Sequence, residues 1–208
     1  GALVPVAPID ADACMERVNA IVDGMRDADY QAVCRAMLRR HLADFRQIPA
    51  AKSVHHGFIH GLLMHTADML AMADFLAKQY HSVIDRDLLL AGTLLHDFAK
   101  AKEFAFSELG LVTGYSVKGQ LLGHLVMGAQ EVADTAGELG IPEEKSTLLQ
   151  HMILSHHGEP EFGAAVRPLF AEAELLWQID GIDSRMEIYR EALKDLSVGS
   201  FSDRIFAL

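Results

Sequence analysis

The chain has 208 residues, of which 50% are hydrophobic and 23% are charged, so we expect a globular protein with a buried core rather than a disordered one. Its formal net charge of −11 argues against a broad electrostatic grip on nucleic acid, which requires clustered lysine and arginine. The cysteines are Cys14 and Cys34, and there is no CxxC motif, so we do not expect a disulfide framework. No apolar run approaches the ~20 residues that span a bilayer, so we do not expect a membrane protein. A cytoplasmic location fits both observations best.

The first half of the chain is predicted to be helical, because its apolar residues recur at helical intervals. The predicted helices cover residues 10–25, 29–45, 61–79 and 85–100. The third of them is unusually apolar for its length, which is typical of a buried helix. A connection over 50–60 leads into it and carries two adjacent histidines.

The second half begins with a change of character. Glycines between short apolar stretches over 104–116 indicate a small β-hairpin or an irregular loop. Further helices are predicted over 119–139, 142–157 and 170–196, with a loop over 158–168. We therefore predict an all-α fold and a single domain, in which residues 1–50 form N-terminal helices, 51–190 form the core and 191–208 form a C-terminal tail.

The dipeptide His96-Asp97 is the strongest chemical signal in the chain. It follows the apolar run 88–95, and a buried imidazole beside a buried carboxylate costs free energy unless both are paired or bound to a metal. His65 and His124 interrupt other apolar helices, although a core histidine explains either of them when it is considered alone. Asp180 also lies in an apolar stretch and therefore needs a partner.

Two adjacent histidines end the penultimate predicted helix. Because successive helical residues diverge by about 100°, His156 and His157 can serve different positions of one cluster. A set of imidazole and carboxylate groups without thiolates suits Mn, Fe, Co, Ni or Zn. Other histidines are weaker candidates: His41 and His81 lie at polar helix ends and are expected to be solvated, and His151 is expected to pack in the core or support the ligands.

Taken in chain order, these residues resemble the HD-domain metal-dependent phosphohydrolase superfamily, and within it the HD domain of the YhaM-type 3′-to-5′ exoribonucleases. The matching stretches are HHGFIHGLLMHT (55–66), RDLLLAGTLLHDFAK (86–100), GQLLGHLVMG (119–128), LSHHGEPEFGAAVRP (154–168) and EAELLWQIDGIDSRM (172–186). The resemblance implies an HD-domain helical bundle over roughly residues 50–190.

The resemblance also implies the residues of the site. The core metal ligands of the superfamily correspond to His65, His96, Asp97 and Asp180. The extra ligands of members with a second metal correspond to His124, His156 and His157. We therefore expect two divalent cations, drawn from Mn, Fe, Co, Ni, Zn and Mg. Lys100 matches the lysine of the HDxxK pattern, which in related phosphodiesterases holds or polarises a phosphate, so Asp97 and Lys100 are the expected catalytic residues. The expected contacts to substrate are His56, Lys100, Glu159 and Arg167.

The chain departs from the family pattern at two positions. His60 replaces a glycine and could crowd the entrance, and Met64 replaces a glutamate, so that a carboxylate supporting the site could be lost. The family's exoribonucleases also carry an N-terminal OB-fold that holds the RNA strand. Since only residues 2–9 precede the first predicted helix, this domain is expected to be absent from the chain.

The expected function is hydrolysis of a phosphodiester bond by a metal-activated water, in a nucleic acid or a nucleotide, as in a 3′-to-5′ exoribonuclease. Three alternatives stay open: a nucleotide phosphomonoesterase with a closed pocket, a non-catalytic nucleotide-sensing domain, and a structural bundle with scattered core histidines. Glu172 and Asp183 also match family positions, but ion pairing or helix capping explains them at least as well. Phe162 and Tyr115 could stack on a base, although a plain core or surface role is the better interpretation of each.

Overall fold

The computed structural model describes residues 9–49, 61–108 and 111–205, and these form an all-α bundle with one small β-hairpin. The helices are α1 (Ala11–Asp23), α2 (Ala28–Gln47), α3 (Gly61–Gln79), α4 (Arg86–Leu95), α5 (Lys100–Glu103), α6 (Val117–Glu138), α7 (Glu143–Ser155) and α8 (Ala171–Leu193). Strands β1 (Phe104–Phe106) and β2 (Val112–Tyr115) pair antiparallel, and a 3₁₀ turn covers Pro160–Phe162. The predicted fold class is therefore confirmed, including the hairpin within 104–116.

Helices α3 and α4 form the centre of the bundle. Helix α3 packs against α1, α2, α4 and α8, and α4 also packs against α2, α7 and α8. Their interior is almost wholly aliphatic, and the fully buried side chains include Leu63, Leu70, Leu89 and Leu94. Because α3 is surrounded by other helices, it has little need of a polar face, as its composition predicted.

Side-chain caps determine where several helices begin. Asp10, Asp27 and Asp85 accept hydrogen bonds from backbone amides in the first turns of α1, α2 and α4, and Ser116 does so for α6. An N-cap of this kind typically contributes about 1 kcal/mol. Of the helices that carry the polar cluster described below, α4 and α6 are therefore anchored at their N-terminal ends by side-chain caps.

Two helices end earlier than the sequence predicts. Helix α4 was expected to reach residue 100 and α7 residue 157, whereas they end at residues 95 and 155. In each, the next residue is a histidine whose Nδ1 donates to the carbonyl three residues earlier: His96 to Thr93 at 2.6 Å, and His156 to Ile153 at 2.7 Å. A regular helix would offer that carbonyl to a backbone amide. The imidazoles therefore end both helices and are themselves held in place.

Helix α6 is kinked immediately before His124. Gly123 has φ 73° and ψ 164°, a conformation that is essentially restricted to glycine. The kink allows both the backbone N–H and the Nδ1 of His124 to reach Oε1 of Glu103, at 3.1 and 3.0 Å. Position 123 therefore requires glycine, because the main-chain conformation there positions His124.

His41 is buried, and the prediction that it is solvated is wrong. Its Nε2 lies 2.5 Å from Oε1 of Glu131, and its ring stacks on Phe98 at a centroid distance of 5.5 Å. Lys102 Nζ lies 3.3 Å from the other oxygen of Glu131. The polar residues next to His41 in the sequence suggested that its side chain is exposed to solvent. Its hydrogen-bond partner Glu131 instead comes from α6, which is far away in the sequence. His81 is exposed, as predicted.

None of the helices in the described parts of the chain is long and apolar enough to cross a membrane. The predicted connection over 50–60 lies outside the described residues.

Candidate metal centre

Asp97 lies at the centre of a buried cluster of histidines. Its Oδ1 lies 3.3 Å from Nε2 of His124 and 3.5 Å from Nε2 of His156, and its Oδ2 lies 3.2 Å from Nε2 of His96 and 3.8 Å from Nε2 of His65. The Asp97 side chain is only 3% exposed. Four separate segments of the chain therefore direct an imidazole nitrogen towards one carboxylate.

Asp180 and His157 complete the cluster. Oδ1 of Asp180 lies 3.0 Å from Nε2 of His65. The ring of His157 lies 4.5 Å from that of His156 and 5.2 Å from that of His124, measured between centroids. The fold thus brings together all seven residues that the sequence predicts as metal ligands.

Each of these histidines uses Nδ1 in a hydrogen bond that orients its ring. The Nδ1 atoms of His96, His156 and His157 donate to the carbonyls of Thr93, Ile153 and Phe162 at 2.6, 2.7 and 3.0 Å. Those of His65 and His124 pair with the carboxylates of Asp183 and Glu103 at 2.6 and 3.0 Å. Since these oxygens only accept, Nδ1 carries the proton and Nε2 of a neutral ring presents a lone pair to the cluster.

The cluster contains buried polar atoms that its own residues leave unsatisfied. Within the described residues, Nε2 of His96, His124 and His156 and Oδ1 of Asp97 have no hydrogen-bond partner. Buried polar atoms normally have one, and nitrogen lone pairs facing a carboxylate oxygen repel it unless a cation or a proton lies between them. This set of donors therefore fits divalent metal ions.

The ligand atoms fall into three overlapping groups, in each of which all atoms lie within 4.8 Å of one another. One group is His65, His96 and Asp97, a second is His96, His156 and Asp180, and a third is His124, His156 and His157. Because the groups share members, they describe one extended site. It can hold a divalent metal, and it has more donors than a single four-coordinate ion uses.

The electrostatics of the cluster keep its ligands in usable protonation states. Burial by itself would raise the pKa of Asp97, but the charges of His96 and Lys100 hold it well below its usual range. Burial lowers the pKa of His157 to about 3, assisted by the neighbouring His156 and His124. At neutral pH, Asp97 is therefore a carboxylate and His157 a neutral imidazole. Both forms can bind a metal.

His65 is more basic than an ordinary histidine. Burial alone would lower its pKa, but hydrogen bonds to Asp180 and Asp183 raise it to about 10. The two carboxylates thus create a position at Nε2 that strongly favours a positive charge. A metal ion bound there would take the place of the proton.

The cluster opens into a pocket of about 390 Å³. Its polar lining includes His65, His156, His157, Asp180 and Lys100. Lys100 Nζ lies 2.9 Å from Oδ2 of Asp97, and its side chain is 16% exposed, so the ammonium is within reach of a bound molecule. Burial lowers the pKa of Lys100, but the carboxylate of Asp97 outweighs this effect and raises it, so the side chain stays charged.

The other predicted substrate contacts are placed differently. Arg167 Nε binds Oε2 of Glu159 at 2.7 Å, and neither residue lines the pocket. His56 lies outside the described residues, as do His55 and His60. The pairing of Arg167 with Glu159 shows that the two side chains satisfy each other at the edge of the 3₁₀ turn.

Two carboxylates that orient histidines were not included in the predicted site. Glu103 pairs with Nδ1 of His124, and Asp183 pairs with Nδ1 of His65. Both carried a usable signal, because Glu103 lies three residues after Lys100 and Asp183 three residues after Asp180, which places each pair on one helical face. Glu172 instead accepts a hydrogen bond from the backbone N–H of Asp85 at 2.5 Å, which supports its capping interpretation.

Replacing either orienting carboxylate by its amide is expected to weaken metal binding by about ten- to a hundredfold. In Glu103→Gln and Asp183→Asn the amide can donate to Nδ1, which favours the wrong tautomer and removes the charge that makes the ligand basic. Titration calorimetry of the metal-free protein with Mn²⁺ measures the change. Glu172→Gln is the matched control, since it alters a buried carboxylate outside the cluster. Equal affinities in the wild type and all three variants would contradict the assigned roles.

Comparisons with known proteins agree with this geometry. A family model described as HD domain matches residues 62–185. The chain is 39% identical over 202 residues to proteins named 3′-5′ exoribonuclease YhaM from Bacillus subtilis, Bacillus licheniformis and Listeria monocytogenes. Each comparison covers 97% of this chain and 63% of the relative, so the chain spans less than two thirds of the relatives' length. No solved structure matches the chain.

The range matched by the family model begins three residues before His65 and ends five residues after Asp180, so it contains every residue of the cluster. It also covers more than half of the chain. The chain belongs to the HD domain family.

Proposed function

We propose that this chain is a metal-dependent phosphohydrolase that cleaves a phosphodiester bond in RNA or a related nucleotide, with water as the attacking group. The observation that carries the proposal is the convergence of unpartnered Nε2 atoms on Asp97, at the base of an open pocket that also exposes Lys100. The relatives named as exoribonucleases support the same substrate class. The free, buried thiols of Cys14 and Cys34 suit a cytoplasmic enzyme.

Two divalent cations are proposed, with Asp97 shared between them. One would be held by His65, His96 and Asp180, and the other by His124, His156 and His157. Cations in such a site lower the pKa of water towards neutrality and offset the negative charge that accumulates on a phosphoryl group. The proposal of two ions rests on the number of donors, since seven residues supply ligand atoms to one connected cluster.

Lys100 is proposed to bind a non-bridging oxygen of the scissile phosphate. It is the cation of the pocket that lies nearest to the shared carboxylate, at 2.9 Å from Asp97. A fixed ammonium stabilises charge that grows during the reaction without the cost of reorganising solvent. Lys100 also contacts Asp97, a proposed metal ligand. A phosphate bound to Lys100 would therefore lie beside the metal centre.

The pocket is open, which favours a phosphodiester over the closed pocket expected for a mononucleotide phosphomonoesterase. Within the described residues it is lined by one face of α8, by the segment that follows α7, and by His65 of α3 and Lys100 of α5. A chain end can enter such a site while the rest of the polymer remains outside. We therefore favour a nucleic acid end as the substrate, as in the named relatives.

The test is a substrate screen with controlled metal loading. Chelation with EDTA is expected to abolish hydrolysis of bis(p-nitrophenyl) phosphate and of a five-nucleotide RNA, and adding back Mn²⁺ to restore both. Release of phosphate from mononucleotides, without diester cleavage, would identify a nucleotidase instead. No turnover of any of these substrates by metal-loaded protein would overturn the proposed activity.

A further inference from the structure

Two residues at the rim of the pocket have no role in the mechanism proposed above. Phe162 ends the 3₁₀ turn after α7 and is 70% exposed, although it is a large apolar side chain. Arg185 lies on α8 and is also exposed. Both line the same pocket as the metal cluster, and they come from separate elements. An aromatic ring and a guanidinium beside a phosphate-cleaving centre need an explanation.

Arg185 is a cation that has no acidic partner in the described parts of this acidic protein. Among the described residues, no carboxylate lies within ion-pair distance of it, whereas Arg190 on the same helix pairs with Glu187 and Arg167 pairs with Glu159. The chain has a formal net charge of −11, so acidic partners are abundant. A planar guanidinium that keeps its donors available at a pocket is suited to bind a phosphate in a bidentate manner.

The main chain beneath Phe162 is anchored to the metal cluster. Its carbonyl accepts a hydrogen bond from Nδ1 of His157 at 3.0 Å, and Gly163 ends the turn with φ 96°. The ring itself remains in solvent. A rigid backbone that presents an exposed aromatic ring is the usual platform on which an unpaired base stacks.

We propose that Phe162 and Arg185 form a nucleotide-binding subsite next to the metal centre, in which Phe162 stacks on a base and Arg185 binds a phosphate adjacent to the scissile one. This inference rests on the proposed function and identifies its substrate as a single-stranded oligonucleotide. One phosphate is already served by Lys100 and the metal ligands. A second cation at the rim suits a substrate that carries a second phosphate.

The subsite also accounts for how an acidic chain can hold RNA without a broad basic surface. Base stacking does not depend on net charge, and every base has a face that can stack. One local guanidinium is then enough to select the backbone near the cleavage point. Recognition would be confined to the last nucleotides at the site and would not extend along the strand.

The test compares two substrates in matched variants. Arg185→Gln and Phe162→Ala are each expected to lower kcat/KM on a five-nucleotide RNA by about ten- to a hundredfold, mainly through KM. The loss on bis(p-nitrophenyl) phosphate is expected to be much smaller, because that substrate has neither a base nor a second phosphate. The ratio of the two kcat/KM values should therefore fall by about fivefold or more. Phe162→Tyr keeps a stacking face and should restore most of the ratio.

Two control variants match the chemistry of these changes away from the pocket. Phe75→Ala removes an aromatic ring that is 65% exposed on α3, and Arg39→Gln removes an exposed arginine from α2. Both should retain the wild-type ratio. An unchanged ratio in Arg185→Gln and Phe162→Ala, with both substrates still cleaved, would overturn the subsite. Failure of the metal-loaded wild type to cleave either substrate would instead overturn the proposed function.

Discussion

Asp97→Ala is expected to lose nearly all bound divalent metal and to reduce phosphodiester hydrolysis by about three orders of magnitude or more. The side chain is the shared centre of the cluster, since it approaches four Nε2 atoms and the ammonium of Lys100. Without it, Asp180 is the one carboxylate left among the seven proposed ligands, and its charge alone does not balance two divalent cations. Metal ions in such sites supply several kcal/mol of transition-state stabilisation, and about 1.4 kcal/mol corresponds to a tenfold change in rate.

The measurement is metal content by mass spectrometry together with the rate on bis(p-nitrophenyl) phosphate. Asp97→Asn is a second variant, because it preserves the shape of the side chain and reduces the risk that a lost activity reflects unfolding. The melting temperature of the metal-free proteins checks that both variants fold. His81→Ala changes an exposed histidine outside the cluster and should bind metal normally. If Asp97→Ala retains both its metal and its rate, the assignment of Asp97 as the shared ligand is wrong.

Gly158→Ala is expected to be strongly destabilising, because two unfavourable effects coincide at this position. Gly158 has φ 81°, and a Cβ placed on it would lie 1.9 Å from Cε2 of Trp177. The positive φ costs an alanine about 1–2 kcal/mol, and displacing a packed side chain costs about 1–3 kcal/mol more. For a chain of this size the melting temperature should fall by about 4–20 °C.

Two other glycines separate the two causes. Gly140 also has a positive φ, 67°, but no described atom lies within 4 Å of the added Cβ. Gly140→Ala should therefore show the backbone strain alone and lower the melting temperature by about 2–8 °C. Gly137 is helical with open space around it, so Gly137→Ala should leave the stability unchanged or raise it slightly. Gly158→Ala should also lower the activity, because Trp177 lines the pocket and Gly158 follows His157. Equal melting temperatures for the Gly158 and Gly140 variants would contradict the predicted contact with Trp177.

Most of the fold could be predicted from the sequence, because the signals are local. Apolar residues at helical intervals indicated the helices, and the glycines within 104–116 indicated the hairpin between β1 and β2. The ends of α4 and α7 could not be predicted in this way. The side chains of His96 and His156 take carbonyls that a helix would use, and only a ring held in place by a tertiary cluster makes that exchange favourable.

The candidate ligands could also be predicted, since buried histidines and aspartates in apolar helices require a partner. Their partners could not. The sequence did not indicate that Glu131 lies beside His41, 90 residues away, or that Asp183 lies beside His65, 118 residues away. Such contacts depend on how the helices are arranged, and residues that share no local pattern meet only when the bundle has formed.

The sequence by itself determined which residue types could bind metal and that they would lie in or next to apolar helical segments, because apolar periodicity is a property of each segment alone. The tertiary structure decided the rest. It directed the ring nitrogens towards Asp97, supplied Glu103 and Asp183 as supports, and placed Phe162 and Arg185 on one pocket. The physical reason is that the direction of a side chain depends on its hydrogen-bond partner, and the partners of His65 and His124 come from other elements of the fold.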